Sequence, residues 1–344
     1  MNDSTQTFGA RLRRRALAVG LFAATLGAPA LADGGTYLES NGLVVILLES
    51  RPTVGAWTFS TQTPNWTGDG YIRWDGADLF QAPGAQGVFA YDIQINTPGT
   101  YKFNLRNRHE DPNPTEDNDV WVKMDNGPWE KIFSNGASSV GNWTWEARVE
   151  LGPGNFPQKQ YSLSAGMHRL QFSGRSNGFK MDRLHLAIPG APNEFNLSAP
   201  ESDRRIGSTY GNAVANSTGA VGLLEAFGSG FASQNEVELR ASRLPQSTLG
   251  IFLVSDSQTF IPNLAGTVGN VLVGPNAGRY AANIVMTDAQ GRVSFSPDMT
   301  QIPQGSGFVS AAAGDTWNFQ LWHRDSVNGT STSNLTRAVS ITFD

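Results

Sequence analysis

No cysteine occurs anywhere in the 344 residues. That absence removes disulfides, a thiolate nucleophile, zinc-thiolate sites and lipid-bearing cysteines from consideration. Charge is scarce as well: Asp, Glu, Lys and Arg make up 16% of the chain, with acids outnumbering bases 30 to 25. An acidic balance argues against nucleic acid, or an anionic membrane surface, as a partner. Histidine is confined to His109, His168, His185 and His323, and no serine sits in a Gly-x-Ser-x-Gly elbow. Nucleophilic catalysis therefore has little support. Long stretches of 3.6-residue apolar periodicity are missing, which points away from helices. The glycine clusters "GDGYIRW", "GPGNFP" and "GSGFAS" lack the third glycine and following helix of a dinucleotide loop, and read as turns.

What is present begins with "RLRRRALAVGLFAATLGAPALADGG". A basic cluster, a short apolar run and Ala30-Leu31-Ala32 ahead of Asp33 follow the order of a secretory signal peptide over residues 1–32. The expectation is an exported protein, secreted, periplasmic or on the cell surface, with no membrane insertion after cleavage. Losing residues 1–32 removes four Arg and one Asp and takes the formal net charge from −5 to −8.

From Leu38 to Ala187 the chain reads as short strands split by turn chemistry, which predicts an all-β antiparallel sandwich. In "VWVKMDNGPWEKIF" the Asn126-Gly127 pair is expected to supply the positive φ angles of a tight hairpin turn. "PGTYKFNL" and "AGMHRLQF" echo each other, with Gly99 and Gly166 each opening a strand of alternate apolar residues. Residues 189–205, rich in Pro, Asn and Ser, read as a linker. Beyond it Trp falls from seven to two, and runs such as "LGIFLVS" and "WNFQLWHR" predict a second all-β domain over 206–344.

The acidic loop "RHEDPNPTEDNDVW" fails as an EF-hand, because Glu116 and Val122 stand where Gly and Glu are required, and it reads as a run of Asx turns. The tryptophans are the strongest signal. An indole offers a flat apolar face and one N–H, the combination on which a sugar's C–H face stacks while its hydroxyls bond to polar neighbours. Trp inside a strand is more often core. Trp121 lies out of phase with Val120, Val122 and Met124 and must face the opposite side.

The run from Tyr37 to Ile188 resembles the galactose-binding-like, jelly-roll carbohydrate-binding modules of families 6 and 35. The matching pieces are "GLVVILLES", "GDGYIRWDG", "GVFAYDIQINTPGTYKFNLRNRH", "NDVWVKMDNGPWEKIF", "GNWTWE" and "LSAGMHRLQFSGRSNGFKMDRLHLA". The resemblance implies a carbohydrate site at the loop end built from Tyr71 and Trp143, with Lys180 where the family has Asn, and Asn177 nearby. It also implies a possible structural calcium between Glu49 and Asp182, with Leu47 where a further acid would stand. Trp145, by contrast, has the setting of a core residue. Residues 206–344 resemble a recurrent module of exported bacterial proteins in which cysteines are expected near positions 211 and 272, here Gly211 and Leu272. The domains then run 1–32 signal peptide, 37–188 carbohydrate-binding-module-like sandwich, 189–205 linker and 206–344 all-β domain.

The reading that follows is a non-catalytic protein whose partner is a polysaccharide or other glycan. Two alternatives stay open: a structural or adhesive surface protein, and a polysaccharide-cleaving hydrolase or lyase using Glu110, Asp111 or Asp119.

Overall fold

The computed structural model describes residues 34–136, 138–264 and 266–344; the segment read as a signal peptide lies outside them. The fold is an all-β sandwich, and its only helical element among the described residues is the single 3-10 turn Ala232–Gln234.

Twelve strands make up the first half: β1 (Thr36–Leu38), β2 (Leu43–Leu47), β3 (Trp57–Ser60), β4 (Tyr71–Trp74), β5 (Phe89–Ile95), β6 (Gly99–Arg108), β7 (Asp119–Met124), β8 (Glu130–Phe133), β9 (Arg148–Val149), β10 (Gln160–Leu163), β11 (Gly166–Ser173) and β12 (Lys180–Ala187). One sheet runs β10-β6-β12-β4-β3, with β2 on the far part of β12. The facing sheet runs β1-β5-β11-β7-β8-β9. Alternation along the strands sends Tyr91, Ile93, Val120, Val122, Leu170 and Phe172 from one sheet against Phe103, Leu105, Leu184 and Leu186 from the other. β6 and β11 each start at the glycine the sequence echo marks.

Only Trp57 and Trp74 of the first seven tryptophans enter this core, at 2% and 0% exposure. Trp121 faces outward as its phase requires, half-buried, its indole N–H donating to the Leu79 carbonyl at 2.9 Å from a loop that covers that side. The β7–β8 hairpin forms, with Val122 opposite Glu130, but its positive φ falls on Asp125 (52°) rather than on the Asn-Gly pair. The connection spans residues 125–129, too long for the two-residue turn expected of Asn-Gly.

Residues 189–205 are not a free linker. Lys102 pairs with Glu194 at 2.9 Å, and Arg183 donates to the carbonyls of Asn196 and Leu197. Arg204–Ile206 then pairs antiparallel with β1, which extends the first half's sheet through Leu223–Gly228 and Val237–Ser242 to Val293–Phe295. The described residues form one compact unit with two hydrophobic cores, the second built around Phe252, Phe319, Leu321 and Ile341. Gly211 and Leu272 are in contact: a Cβ at Gly211, where φ is +76°, would lie 2.6 Å from Leu272 Cδ1. The bulk of the Leu272 side chain fills the place where the resemblance implies a cysteine pair.

Candidate functional site

Lys180 at the start of β12 stands opposite Arg73 of β4 on one side and Arg108 of β6 on the other. Opposed residues share a face, and so do residues two apart on a strand. Tyr71, Arg73, Lys180, Arg106 and Arg108 therefore emerge together on the outer side of the sheet, away from Ile72, Trp74 and Leu105 in the core. The site is a patch on the sheet face roofed by two loops, 61–69 and 139–146.

Trp143 comes from the second loop and is half-buried. Its N–H donates to the Pro64 carbonyl of the first loop at 2.9 Å. One ring face lies over the Arg106 guanidinium, 5.1 Å from the ring centre, and its edge meets Tyr71 at 5.3 Å in a T-shaped contact. These three contacts fix the ring at low entropic cost to any ligand that stacks on it. Arg106 also donates to the Asn65 carbonyl at 2.7 Å and forms an ion pair with Asp182, so the guanidinium ties the sheet to the loop that holds Trp143.

Buried His109 and Ser139, with the half-buried Asp117, brace the same loop. His109 Nε2 lies 2.8 Å from Ser139 Oγ, and its Nδ1 is 3.5 Å from Asp117 Oδ1. The order serine, histidine, aspartate is that of a nucleophilic triad, but Ser139 is 1% exposed and its hydroxyl donates to the Gly136 carbonyl. Placed so, the serine meets no substrate and holds the Trp143 loop against the end of β6. The acidic loop is a chain of Asx turns: Asp111 accepts from the Asn113 amide, and Asn113 from the Thr115 amide and hydroxyl.

The residues singled out in the sequence fare differently. Trp143 presents surface. Tyr71 is next to it but only 1% exposed, with its hydroxyl donating to Thr63 Oγ1 at 2.9 Å, so it supports the indole and does not touch solvent. Burial opposes ionisation of that phenol, yet hydrogen bonds from Ser60 and Thr63 and the charge of Lys180 hold its pKa below the ordinary value. Lys180 is 5% exposed and already paired with Glu110 at 3.0 Å, so it orders the patch rather than reaching out. Asn177 is exposed but turned to a different loop, its amide donating to the Gly76 carbonyl at 2.7 Å. Trp145 is not core: it is half-buried on the outer face, 4.7 Å from the His185 ring and 5.9 Å from Phe195.

Arg106 was missed, although its signal is in "FNLRNRH", where two arginines alternate on a strand whose other face is core. A charged pair on a half-buried strand needs counter-ions on its own face, and Asp182 and Glu110 supply them.

The donor set does not fit calcium. Asp182 is fully buried, one oxygen taking the Thr67 amide and hydroxyl and the other the Arg106 guanidinium. Glu49 is its acidic neighbour; one oxygen accepts the Asp69 amide at 3.1 Å and only the other is without a partner. Ca²⁺ takes six to eight oxygens, and here an arginine already neutralises the aspartate from within the fold. No cluster of three or more His, Asp or Glu suited to a metal occurs among the described residues.

No family model and no curated protein matches the chain. Among solved structures it is similar to a GH26-CBM35 β-(1,4)-mannanase from Podospora anserina, with 18% identity and a TM-score of 0.33 over 44% of this chain and 29% of that one. It is also similar to a cycloisomaltooligosaccharide glucanotransferase from Paenibacillus sp. complexed with cycloisomaltoheptaose, with 11% identity and a TM-score of 0.31 over 71% of this chain and 44% of that one. The chain thus spans less than half the length of either. At those TM-scores neither likeness carries weight for this chain's substrate or reaction.

Proposed function

We propose that this protein is an exported, non-catalytic carbohydrate-binding protein that takes a poly- or oligosaccharide at Trp143. The observation that carries the reading is the clamped, half-buried indole, held by Pro64, Arg106 and Tyr71 beside a polar rim. A sugar's C–H face stacks on such a ring, and its hydroxyls bond to Arg73 and Glu110, whose side chains keep 41% and 42% of their exposure. A shallow patch buries little area and desolvates hydroxyls, so a single site binds weakly.

Two of the acids that a cleaving enzyme could use, Glu110 and Asp119, are ion-paired within the fold. Burial works to raise the Glu110 pKa, but Arg108 and Lys180 outweigh it and hold the carboxyl below its usual range. An acid kept ionised is a poor proton donor at neutral pH. Asp119 is 5% exposed and paired with Arg175. A glycan array followed by calorimetry with and without EDTA tests the reading. Binding that persists in EDTA and is weakened roughly tenfold or more in Trp143→Ala supports it; reducing-end release from a polysaccharide, abolished in Glu110→Gln, overturns it in favour of an enzyme.

A further inference from the structure

The second half contains a cleft of about 540 Å³, within the range of small-ligand sites. Its walls are unusual for a surface depression. Tyr280, 7% exposed, meets Phe295 edge-on at 5.0 Å, and Phe295 is backed by Phe252 at 5.2 Å in a stacked pair. The strand Gly307–Val309 also lines the cleft and sets Phe308 across from Pro303, which puts both side chains on one face. Phe308 is 67% exposed, the most exposed large apolar side chain among the described residues. Arg279 and Asp298 stand on the rim, both exposed. One Asp298 oxygen accepts Thr300 and Asn235, which fixes the carboxylate and leaves its second oxygen for other donors.

A second observation points to a ligand. The Tyr280 hydroxyl is buried and has no hydrogen-bond partner, whereas buried hydroxyls ordinarily find one. It belongs to a ring that lines the cleft, but the oxygen itself is closed to solvent, so a ligand hydroxyl satisfies it with a small shift of the Tyr280 ring that opens it to the cleft.

We infer that this cleft is a second saccharide site, taking one pyranose unit of a neutral glycan between Phe308 and the Tyr280–Phe295 pair. The aromatic walls suit the C–H faces of a ring, and the rim pairs one cation with one anion, which favours a neutral polyhydroxylated ligand over an acidic or basic one. Vicinal hydroxyls accept from the Arg279 guanidinium and donate to Asp298. The site stands apart from Trp143 and does not depend on it; with both occupied by one polysaccharide, affinity rises by effective concentration.

The test uses the full chain with Trp143→Ala to silence the first site, and cellohexaose, mannohexaose, xylohexaose, maltohexaose and isomaltohexaose as probes, read by saturation-transfer NMR and calorimetry. At least one probe is expected to bind this variant. Adding Phe308→Ala should weaken that binding roughly tenfold. Adding Tyr280→Phe should weaken it severalfold while leaving the melting temperature unchanged or raised, because the lost hydroxyl had no protein partner. The proposal is overturned if no probe binds the Trp143→Ala protein, if binding ignores both further changes, or if Tyr280→Phe lowers the melting temperature. Loss of all binding on Trp143→Ala alone would remove this site and leave the Trp143 reading intact.

Discussion

Two indoles two positions apart have different work. Trp143 is gripped by the Pro64 carbonyl, the Arg106 guanidinium and the Tyr71 edge, and it keeps surface. Trp145 caps His185 and Phe195 on the outer face of the sheet. The Arg106–Asp182 pair beneath is the site's costliest element, with side-chain exposures of 7% and 0%. Arg106→Met strands a buried carboxylate and should destabilise the fold by about 3–5 kcal/mol, read by chemical denaturation. EDTA should leave the wild-type midpoint where it is, since the arginine supplies the charge that a calcium ion would. The tryptophans were legible in the sequence because their rarity and size mark them. Arg106 was not, because the pairing that defines it joins strands distant in the chain, and a single sequence does not say which acid faces which base.

At the scale of elements, strand periodicity located seven of the twelve strands of the first half, β2, β5, β6, β7, β8, β11 and β12, since alternation against a core leaves a period of two. Tyr71–Trp74, in a glycine cluster read as a turn, is a strand. Loops escaped it. The β7–β8 connection puts its left-handed residue at Asp125, whose carboxylate accepts the Arg169 amide at 2.8 Å and meets His168 at 2.8 Å. Those cross-strand contacts outweigh the local Asn-Gly preference. Residues 189–205 look like a linker by composition, yet their carbonyls are what Arg183 and His185 need. His185 Nδ1 lies 2.8 Å from the Glu194 carbonyl, and burial, with the nearby Arg183 charge, depresses its pKa to about 4. The folded state thus takes up this proton less readily than the unfolded one. Its contribution to stability is full above about pH 6.5 and is lost as pH falls toward 4. The loss amounts to at most about 3 kcal/mol. The His323 pKa is depressed by burial too and acts in the same sense. Comparing denaturation of wild type and His185→Gln from pH 7 to 4 isolates the first effect: the wild type should lose more stability than the variant across that window.

Across the whole molecule, β1 is the seam. It pairs with β5 in the first half and with Arg204–Ile206 in the second, and Arg204 donates to the Ser50 and Gly228 carbonyls while 4% exposed. Composition suggested two domains on a tether because the change in Trp content is real and each half has its own core. What composition does not carry is the backbone pairing that makes one sheet of both. Scanning calorimetry should therefore show one cooperative transition. Arg204→Ala, which removes the buried donors at the seam, should lower its midpoint and split it in two.

The central claim is that Trp143 is a surface for sugar and not a structural filler. Thermal unfolding and calorimetric titration of Trp143→Ala beside wild type, on whichever glycan binds best, test it most directly. The account predicts a loss of affinity of roughly tenfold or more, with the melting temperature held to within about 3 °C. A fall in melting temperature well beyond that, with affinity unchanged, would make Trp143 a packing residue and contradict the account.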